Sequence, residues 1–217
     1  GSAGTGFRAP SIDELYGVYP GFVGNANLNP ETSLSYELGV DKEYANGASF
    51  SLTAFQIQIE DLVTYQYDFV NAIGTLVNAP GTTNREGVEL AFNLPVTDRV
   101  EVFGAATLIS TDDGAGNHLA RVPGREYMLG VSADMTDRFS GSLTARRVTH
   151  RPMDTDASFT RVEMDAYTLV DMQLAYDIGN GFDAYVNVTN LLDESYEVVP
   201  GYGTAGRSVF FGINASF

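Results

Sequence analysis

Strict alternation of apolar and polar residues is the feature that most limits how this chain can fold. In residues 34–41 the even positions are apolar and the odd positions are polar or small, and the same period runs through residues 182–189. The last segment continues it, with Val209, Phe211, Ile213, Ala215 and Phe217 on one face and Phe210 as an exception. A side-chain period of two belongs to a β-strand. The sequence therefore predicts an all-β protein.

Turn signals divide the alternating segments into strands. Short signals occur at residues 45–47, 95–98, 135–138 and 179–181, and Asn-Gly supplies the positive φ of a tight hairpin. Longer polar loops occupy residues 68–83, 112–123, 152–165 and 197–205. The predicted strands are 33–44, 48–67, 84–94, 99–111, 126–135, 138–151, 164–178, 182–197 and 206–217, preceded by a partial strand near 2–8. Short turns at one end and long loops at the other are typical of outer-membrane barrels.

The polar faces distinguish a membrane barrel from a soluble β-sandwich, which alternates as well. They carry Ser, Thr, Asn, Gly, Asp and Glu with few Lys, whereas a face in bulk water usually carries Lys and Glu. No segment approaches the roughly 18 consecutive apolar residues of a membrane helix, so a membrane protein of this sequence crosses with strands. This interpretation predicts one curved antiparallel sheet of about ten strands. It predicts no core between two sheets built from Leu34, Leu52, Val186 and Phe211.

Charge and residue types exclude several functional classes. The net charge of −16 argues against nucleic acid as a partner, and the absence of Cys removes disulfide and thiol chemistry. No nucleophile motif such as G-x-S-x-G accompanies the two histidines, so no catalytic residue and no cofactor are predicted. The loop acids match no complete calcium loop, and the prediction is solvated charge with no metal site at Asp112, Asp113, Asp154 and Asp156.

Five motifs, in order along the chain, resemble those of the TonB-dependent receptor family. Each is weak alone, but together they span nearly the whole sequence. They are Phe7-Arg8-Ala9-Pro10-Ser11; Asn25, Asn27, Leu28, Pro30, Glu31 and Ser33 leading to Glu37-Leu38-Gly39; Phe55 with Ile59-Glu60-Asp61-Leu62-Val63; Gly87-Val88-Glu89; and Asn187-Val188-Thr189-Asn190-Leu191-Leu192-Asp193 with Tyr196. The chain also closes as the family does, with Gly206-Arg207 and a terminal Phe217.

The resemblance implies a roughly 22-stranded transmembrane barrel with an N-terminal plug inside it. Because the chain shows about ten strands and begins with Gly1 rather than Met, residues 1–217 are expected to be its C-terminal part, without plug or first strands. Within the family, residues 201–207 are most similar to the cobalamin receptors, and catecholate siderophore receptors share much of the pattern. The resemblance thus implies uptake of cobalamin or a ferric siderophore across a Gram-negative outer membrane, with the TonB complex as a partner.

Two sets of residues are candidates for contacts outside the barrel wall. Tyr19, Phe22 and Tyr202, in long loops, are candidate ligand contacts, because an aromatic ring stacks on a flat ligand. Phe211, Ile213 and Phe217 form a candidate signal for the outer-membrane assembly machinery. Tyr65 and Tyr196 are expected in an aromatic girdle at the membrane interface.

Charged residues on the strands form a third set. A charge facing lipid at the midplane costs about 2–4 kcal/mol for a base and less for an acid. Acids of the polar face are therefore expected to face the lumen, against either a basic plug surface or water; they are Glu37, Glu89, Glu101, Asp134, Asp171 and Asp183. Structural roles are expected for Arg8, Arg85, Arg146, Arg147 and Arg207. Arg147 shares the apolar register near the outer end, where it can snorkel to the interface.

A small stand-alone outer-membrane barrel, acting as a porin, adhesin or enzyme, is the alternative. A closed barrel requires the first strand to pair with residues 206–217, whereas a fragment leaves both edges open.

Overall fold

The computed structural model describes residues 1–152 and 161–216. Strands dominate these residues, and one short helix, α1 (Ile12–Tyr16), follows the first strand. The strands are β1 (Ser2–Arg8), β2 (Val18–Tyr19), β3 (Phe22–Val23), β4 (Glu31–Glu43), β5 (Ser49–Glu60), β6 (Val63–Asp68), β7 (Ile73–Asn78), β8 (Thr82–Thr97), β9 (Val100–Asp112), β10 (Arg125–Asp134), β11 (Phe139–Thr149), β12 (Arg151–Pro152), β13 (Glu163–Met164), β14 (Tyr167–Gly179), β15 (Phe182–Thr189), β16 (Glu197–Val199), β17 (Tyr202–Gly203) and β18 (Ser208–Ala215). No helix within the described ranges is long and apolar enough to span a bilayer.

Ten strands form one sheet in the order β1-β4-β5-β8-β9-β10-β11-β14-β15-β18. The registered pairs β1–β4, β9–β10, β10–β11, β11–β14, β14–β15 and β15–β18 are all antiparallel. The predicted all-β antiparallel wall of about ten strands is thus confirmed, including the partial strand at residues 2–8. β1 and β18 are the two ends of this order, whereas a small closed barrel requires them to be neighbours.

The chain divides into two compact units. The first contains Gly1–Leu38, Ala54–Gly87 and Ser110–Leu119, and the second contains Gly39–Thr53, Val88–Ile109 and Ala120–Phe217. The first holds the loop segments that follow β1 and β5, and the second holds most of the regular strand ladder.

In the second unit, the register carries one apolar face from strand to strand. Leu129 of β10 pairs with Ala145 of β11, and Val131 pairs with Leu143. Directly paired residues point to the same side of a sheet, so the apolar positions form a continuous surface. Leu129 is 56% exposed and Phe211 is 83% exposed. Exposure of this kind, with Leu52 exposed as well, is incompatible with a core between two packed sheets and fits a face in contact with lipid.

The first unit contains a small second sheet that the sequence did not predict. Its order is β2-β3-β7-β6, with one parallel pair, β3–β7, and two antiparallel pairs. The predicted single strand 48–67 was wrong, because the chain turns after β5 at Asp61, whose φ is 56°, and β6 enters this sheet. The predicted loop 68–83 contains β7, which returns along β6.

Two further predicted strands are shorter than expected. The strand predicted at 182–197 ends at Thr189, where Asn190 takes a φ of 51°, and a separate hairpin of β16 and β17 follows. The strand predicted at 164–178 begins at Tyr167. Phe210, the exception in the last strand, pairs with Asn187 and so lies on the polar face.

Candidate functional site

A row of aromatic residues crosses the small sheet of the first unit. Tyr19 pairs with Phe22, Phe22 with Gly74, and Gly74 with Tyr67, so these positions share one face across all four strands. The rings of Tyr19 and Phe22 are stacked, with centroids 6.2 Å apart. A Cβ at Gly74 would collide with the ring of Tyr65, so the missing side chain lets this ring lie across the row. Aromatic rings from two segments that are distant in sequence, residues 19–22 and 65–67, therefore cover this face.

The aromatic row is accessible from outside the protein. Tyr19 is 55% exposed and Tyr65 is 61% exposed, and Phe69, in edge contact with Tyr67 at 5.1 Å, is exposed too. The Tyr19 hydroxyl donates a hydrogen bond to the Asp13 carboxylate, which raises the pKa of Tyr19. Exposed, pre-positioned rings offer flat apolar surface with polar tips, which suits stacking on an extended ligand.

An ion-pair network fixes the segment that carries this row. Arg8, at the end of β1, donates from Nε and Nη2 to both oxygens of Glu31, each at 2.8 Å, and from Nη1 to Glu14 at 2.9 Å. Glu14 also accepts the Ser11 backbone N–H at 2.7 Å, which closes a capping box at α1. Glu31 accepts the Val63 N–H at 2.8 Å as well. One arginine thus links β1, α1, β4 and the start of β6.

Asparagines complete the framework of the first unit. Asn25 donates from Nδ2 to Leu76 O at 2.9 Å, and Asn78 donates to Asn29 O and Asp61 O at 3.1 and 2.6 Å. The Asn78 side-chain oxygen accepts the Asn29 N–H at 2.9 Å. Asn25 of the N-x-N-L motif and Asn78 thus hold loop backbone in place, which is a structural role.

Tyr202 lies in the second unit, at the tip of the β16–β17 hairpin. It follows the Pro200-Gly201 turn, where Gly201 has a φ of 79°, and it is 73% exposed. The turn is held by the Glu197 carboxylate, which accepts the Gly201 N–H at 2.9 Å. Below it, Asn190 exchanges two hydrogen bonds with the Glu194 backbone, at 2.8 and 2.9 Å. Tyr202 therefore stands on a hairpin with a defined base.

A stack of three side chains, missed by the sequence analysis, supports that hairpin. The Arg151 guanidinium lies 4.6 Å from the Tyr167 ring centroid, and the Tyr167 and Tyr196 rings are 4.4 Å apart. Arg151 is buried and donates to Asp165 O at 2.7 Å and to Glu197 O at 2.6 Å. Tyr196 therefore packs in this stack, and its place in a membrane-interface girdle stays a prediction.

The predicted lumen-facing acids occupy the polar face of the strands. In the second unit Glu101 pairs with Ser132 and Asp134 with Ser140, and together they line a polar hollow of about 740 Å³ near the short turns. Glu101 accepts from Asn93 at 3.1 Å, and Asp171 accepts the Asn190 N–H at 2.8 Å. Asp183 lies opposite Asn214.

In the first unit, Glu37 lies opposite Ser2 on the face of Arg8 and Glu31. Glu89 is a residue of β8.

The arginines expected to be structural contact neighbouring groups of the protein, although the buried Nε of Arg85 has no hydrogen-bond partner among the described residues. Arg146 pairs with Glu126 at 2.8 Å, Arg207 donates to Leu191 O at 3.3 Å, and Arg85 lies over the Phe55 ring at 6.0 Å. Arg147 donates to the Thr168 hydroxyl at 2.9 Å.

The candidate assembly residues are only partly described. Phe211 and Ile213 are exposed on the apolar face of β18, at 83% and 66%. Phe217 lies outside the described residues.

Two of the loop acids, Asp112 and Asp113, accept hydrogen bonds from backbone N–H groups of their own turn. Asp112 accepts the N–H groups of Gly114 and Gly116, and Asp113 accepts those of Ala115 and Asn117. Asp154 and Asp156 lie outside the described residues. In the part that is described, no group of three or more His, Asp or Glu side chains is placed to hold a metal ion.

Two curated bacterial proteins are similar to this chain in sequence along its whole length. The vitamin B12 transporter BtuB of Vibrio cholerae is 29% identical over 218 residues, covering 100% of this chain and 34% of its own length. The iron-regulated outer membrane virulence protein of the same species is 28% identical over 240 residues, covering 100% of this chain and 37% of its own. The chain thus spans about a third of the length of these curated relatives.

Solved structures share the fold, and a family model matches the sequence. The copper transporter OprC aligns with a TM-score of 0.81 at 16% identity, over 99% of this chain and 36% of that one. The ferric enterobactin receptor PfeA of Pseudomonas aeruginosa aligns with a TM-score of 0.78 at 18% identity, over 99% and 37%. The model described as TonB dependent receptor-like, beta-barrel, matches residues 1–191. With its antiparallel wall and lipid-type apolar face, this chain belongs to the TonB-dependent receptor family of the Gram-negative outer membrane, as part of the C-terminal barrel.

Proposed function

We propose that the intact protein is an uptake receptor that captures cobalamin or a ferric siderophore at the loop end of its barrel, without covalent chemistry. The aromatic row of the first unit is the observation that carries this proposal. It presents the exposed rings of Tyr19 and Tyr65 and the half-buried rings of Phe22 and Tyr67 on one face, and a ligand would gain stacking area there at little cost in side-chain ordering.

The chemistry of the row fits ligands that are large and flat. A corrin ring and a metal-bound catecholate each offer an extended face with polar groups at the rim, which complements aromatic faces bordered by hydroxyls. One relative is named as a vitamin B12 transporter and one structural neighbour as a ferric enterobactin receptor, so the printed names support both ligand classes.

Tyr202 is proposed as a second ligand contact. Its ring is exposed on a hairpin whose base is fixed by Asn190 and by the Arg151 stack. Such a residue is pre-positioned yet solvent-accessible, which is the arrangement that lowers the entropic cost of binding.

The acids of the polar face are proposed to meet a plug domain in the intact receptor, and that plug would couple the barrel to the TonB complex. Within the described residues Glu37, Glu89, Asp134 and Asp183 make no ion pair, and Glu101 and Asp171 use only part of their capacity. Carboxylates with free lone pairs on a face that excludes lipid suit contact with basic side chains.

Ligand titration of the full-length receptor in detergent, with cobalamin and with a ferric catecholate siderophore, tests the capture proposal. Tyr19→Ala and Tyr202→Ala should each weaken binding of one ligand by about 0.5–1.5 kcal/mol, the value of a lost aromatic contact. Tyr176→Ala is the matched control, because Tyr176 is an exposed aromatic on the apolar face near the short turns. Unchanged affinity for both ligands in both loop variants would exclude these residues as contacts.

Phe211, Ile213 and Phe217 are proposed to act in assembly rather than in binding. Phe217→Ala should therefore lower the amount of receptor in the outer membrane while the affinity per folded receptor stays the same.

A further inference from the structure

Two arginines lie on the apolar face of the second unit, where β10 and β11 meet the long loops. Arg147 pairs with Tyr127 of β10 and with Thr168 of β14, and Arg125 pairs with Thr149 one step further out. Paired positions share a face, so Arg125 and Arg147 are diagonal neighbours on the side of Tyr127. The adjacent residue, Arg146, points to the opposite face, where it pairs with Glu126 at 2.8 Å.

The charges of these two arginines are not neutralised by neighbouring carboxylates. Both side chains are exposed, and Arg147 donates from Nη1 to the Thr168 hydroxyl at 2.9 Å. Across residues 1–152 and 161–216, neither Arg125 nor Arg147 takes part in an ion pair. The chain carries 28 acidic residues against 12 basic ones, so two unpaired guanidinium groups side by side are an exception to its charge balance.

The neighbouring residues on the same face indicate how deep in the membrane the two arginines lie. Leu129 and Val131 continue the same face of β10, and Leu143 continues that of β11, all exposed as lipid-facing residues are. Tyr127, 40% exposed, stands between this apolar surface and Arg125, and tyrosine favours the level of the lipid headgroups. A charge within hydrocarbon is costly, so we expect the two guanidinium groups at the headgroup level of the leaflet on the long-loop side.

We propose that Arg125 and Arg147 bind the phosphate groups of an anionic lipid in the outer leaflet. The guanidinium fork donates two parallel hydrogen bonds to a phosphate, and the hydroxyls of Thr149 and Thr168 lie on the same face to add further donors. The acyl chains of this lipid would cover Leu129, Val131 and Leu143. The proposed site uses none of the residues of the aromatic row, and the proposal does not depend on which nutrient the receptor captures.

Native mass spectrometry of the delipidated full-length receptor tests this site, with diphosphoryl lipid A, phosphatidylcholine and inorganic phosphate as the probes. Lipid A should bind more tightly than phosphatidylcholine. Arg125→Gln or Arg147→Gln should weaken lipid A binding by about fivefold and the double variant by about thirtyfold, as expected for one and two basic residues near an anionic headgroup. Arg146→Gln, the matched control on the opposite face, should bind like the wild type.

Several outcomes would overturn the proposal. Wild-type affinity for lipid A in the double variant would show that the arginines make no headgroup contact. An equal loss in Arg146→Gln would indicate a nonspecific effect of net charge. Displacement of lipid A by an equal concentration of inorganic phosphate would identify a site for the free anion. The circular dichroism spectrum and unfolding midpoint of every variant are compared first, so that only folded receptors are scored.

Discussion

The β10–β11 pair of the wall and the small sheet of the first unit obtain their order in different ways. From Arg125↔Thr149 to Asp134↔Ser140, β10 and β11 pair without a bulge, and the side-chain period alone decides which face meets lipid. In the small sheet, β2 and β3 have two residues each, and the loops around them are held by bonds such as those of Asn78. The wall therefore spreads its stability over many equivalent positions, whereas the loop sheet concentrates it in a few polar side chains.

The largest effect is expected from a charge placed on the apolar face of the wall. Val131→Arg, four residues from Tyr127 along the same face of β10, should destabilise the full-length receptor in lipid vesicles by about 2–4 kcal/mol, the cost of a base near the bilayer midplane. Equilibrium unfolding in denaturant measures this change. Ser132→Arg is the control, because Ser132 lies on the polar face opposite Glu101, and it should cost little. An equal loss of unfolding free energy in the two variants would contradict the assignment of one face to lipid and the other to water.

A smaller effect is expected from breaking the loop framework. Asn78→Ala removes the side chain that binds Asn29 twice and Asp61 once, leaving partly buried backbone groups unpaired at a cost of about 1–3 kcal/mol. Hydrogen exchange at the Asn29 amide should accelerate accordingly, while exchange in β10 and β11 stays unchanged. Asn27→Ala serves as the control, since Asn27 contributes its backbone N–H to the framework. Slow exchange at Asn29 in the Asn78→Ala variant would show that contacts other than those of Asn78 hold this loop.

The smallest effect concerns pH and the capping box of α1. The hydrogen bond from the Ser11 backbone, followed by that from Arg8, lowers the pKa of Glu14 below its ordinary 4.5. Because the folded pKa is the lower one, this stabilisation is present above about pH 4.5 and is lost as the pH falls through the folded pKa. The protection factor of the Ser11 amide should decrease over that range. Glu14→Gln should abolish this pH dependence, and a dependence that survived in the variant would assign it to another group.

The alternation of apolar and polar residues predicted the ten-stranded wall because it recurs along the whole length of strands such as β10 and β11. It failed at Asp61, where apolar residues continue through Leu62 and Val63 although the chain turns into another sheet. The sequence analysis named Tyr19 and Phe22 as candidate contacts, but it could not predict that they align with Tyr67 in one row. That alignment depends on the pairing of Phe22 with Gly74, and no local pattern encodes this contact. Ser11 and Glu14 did carry a readable signal, since S-x-x-E is a capping box and it marks the acid that Arg8 contacts.

The resemblance motifs located the family but not the residues of the aromatic row. Asn25 and Asn190 are both motif residues, and both use their side chains to hold loop backbone. The ring faces available to a ligand come instead from residues outside those motifs, such as Tyr65 and Tyr67.

The parallel pairing of β3 with β7 has a consequence for the time course of folding. The backbone bond from the Gly74 N–H to Gly21 O joins two segments between which the chain runs through β4 and β5. Contacts between residues so distant in sequence form slowly unless the intervening chain has already folded back on itself. We therefore expect the aromatic row to be completed only after β4 and β5 have paired, so that a newly inserted barrel acquires this exposed aromatic surface late.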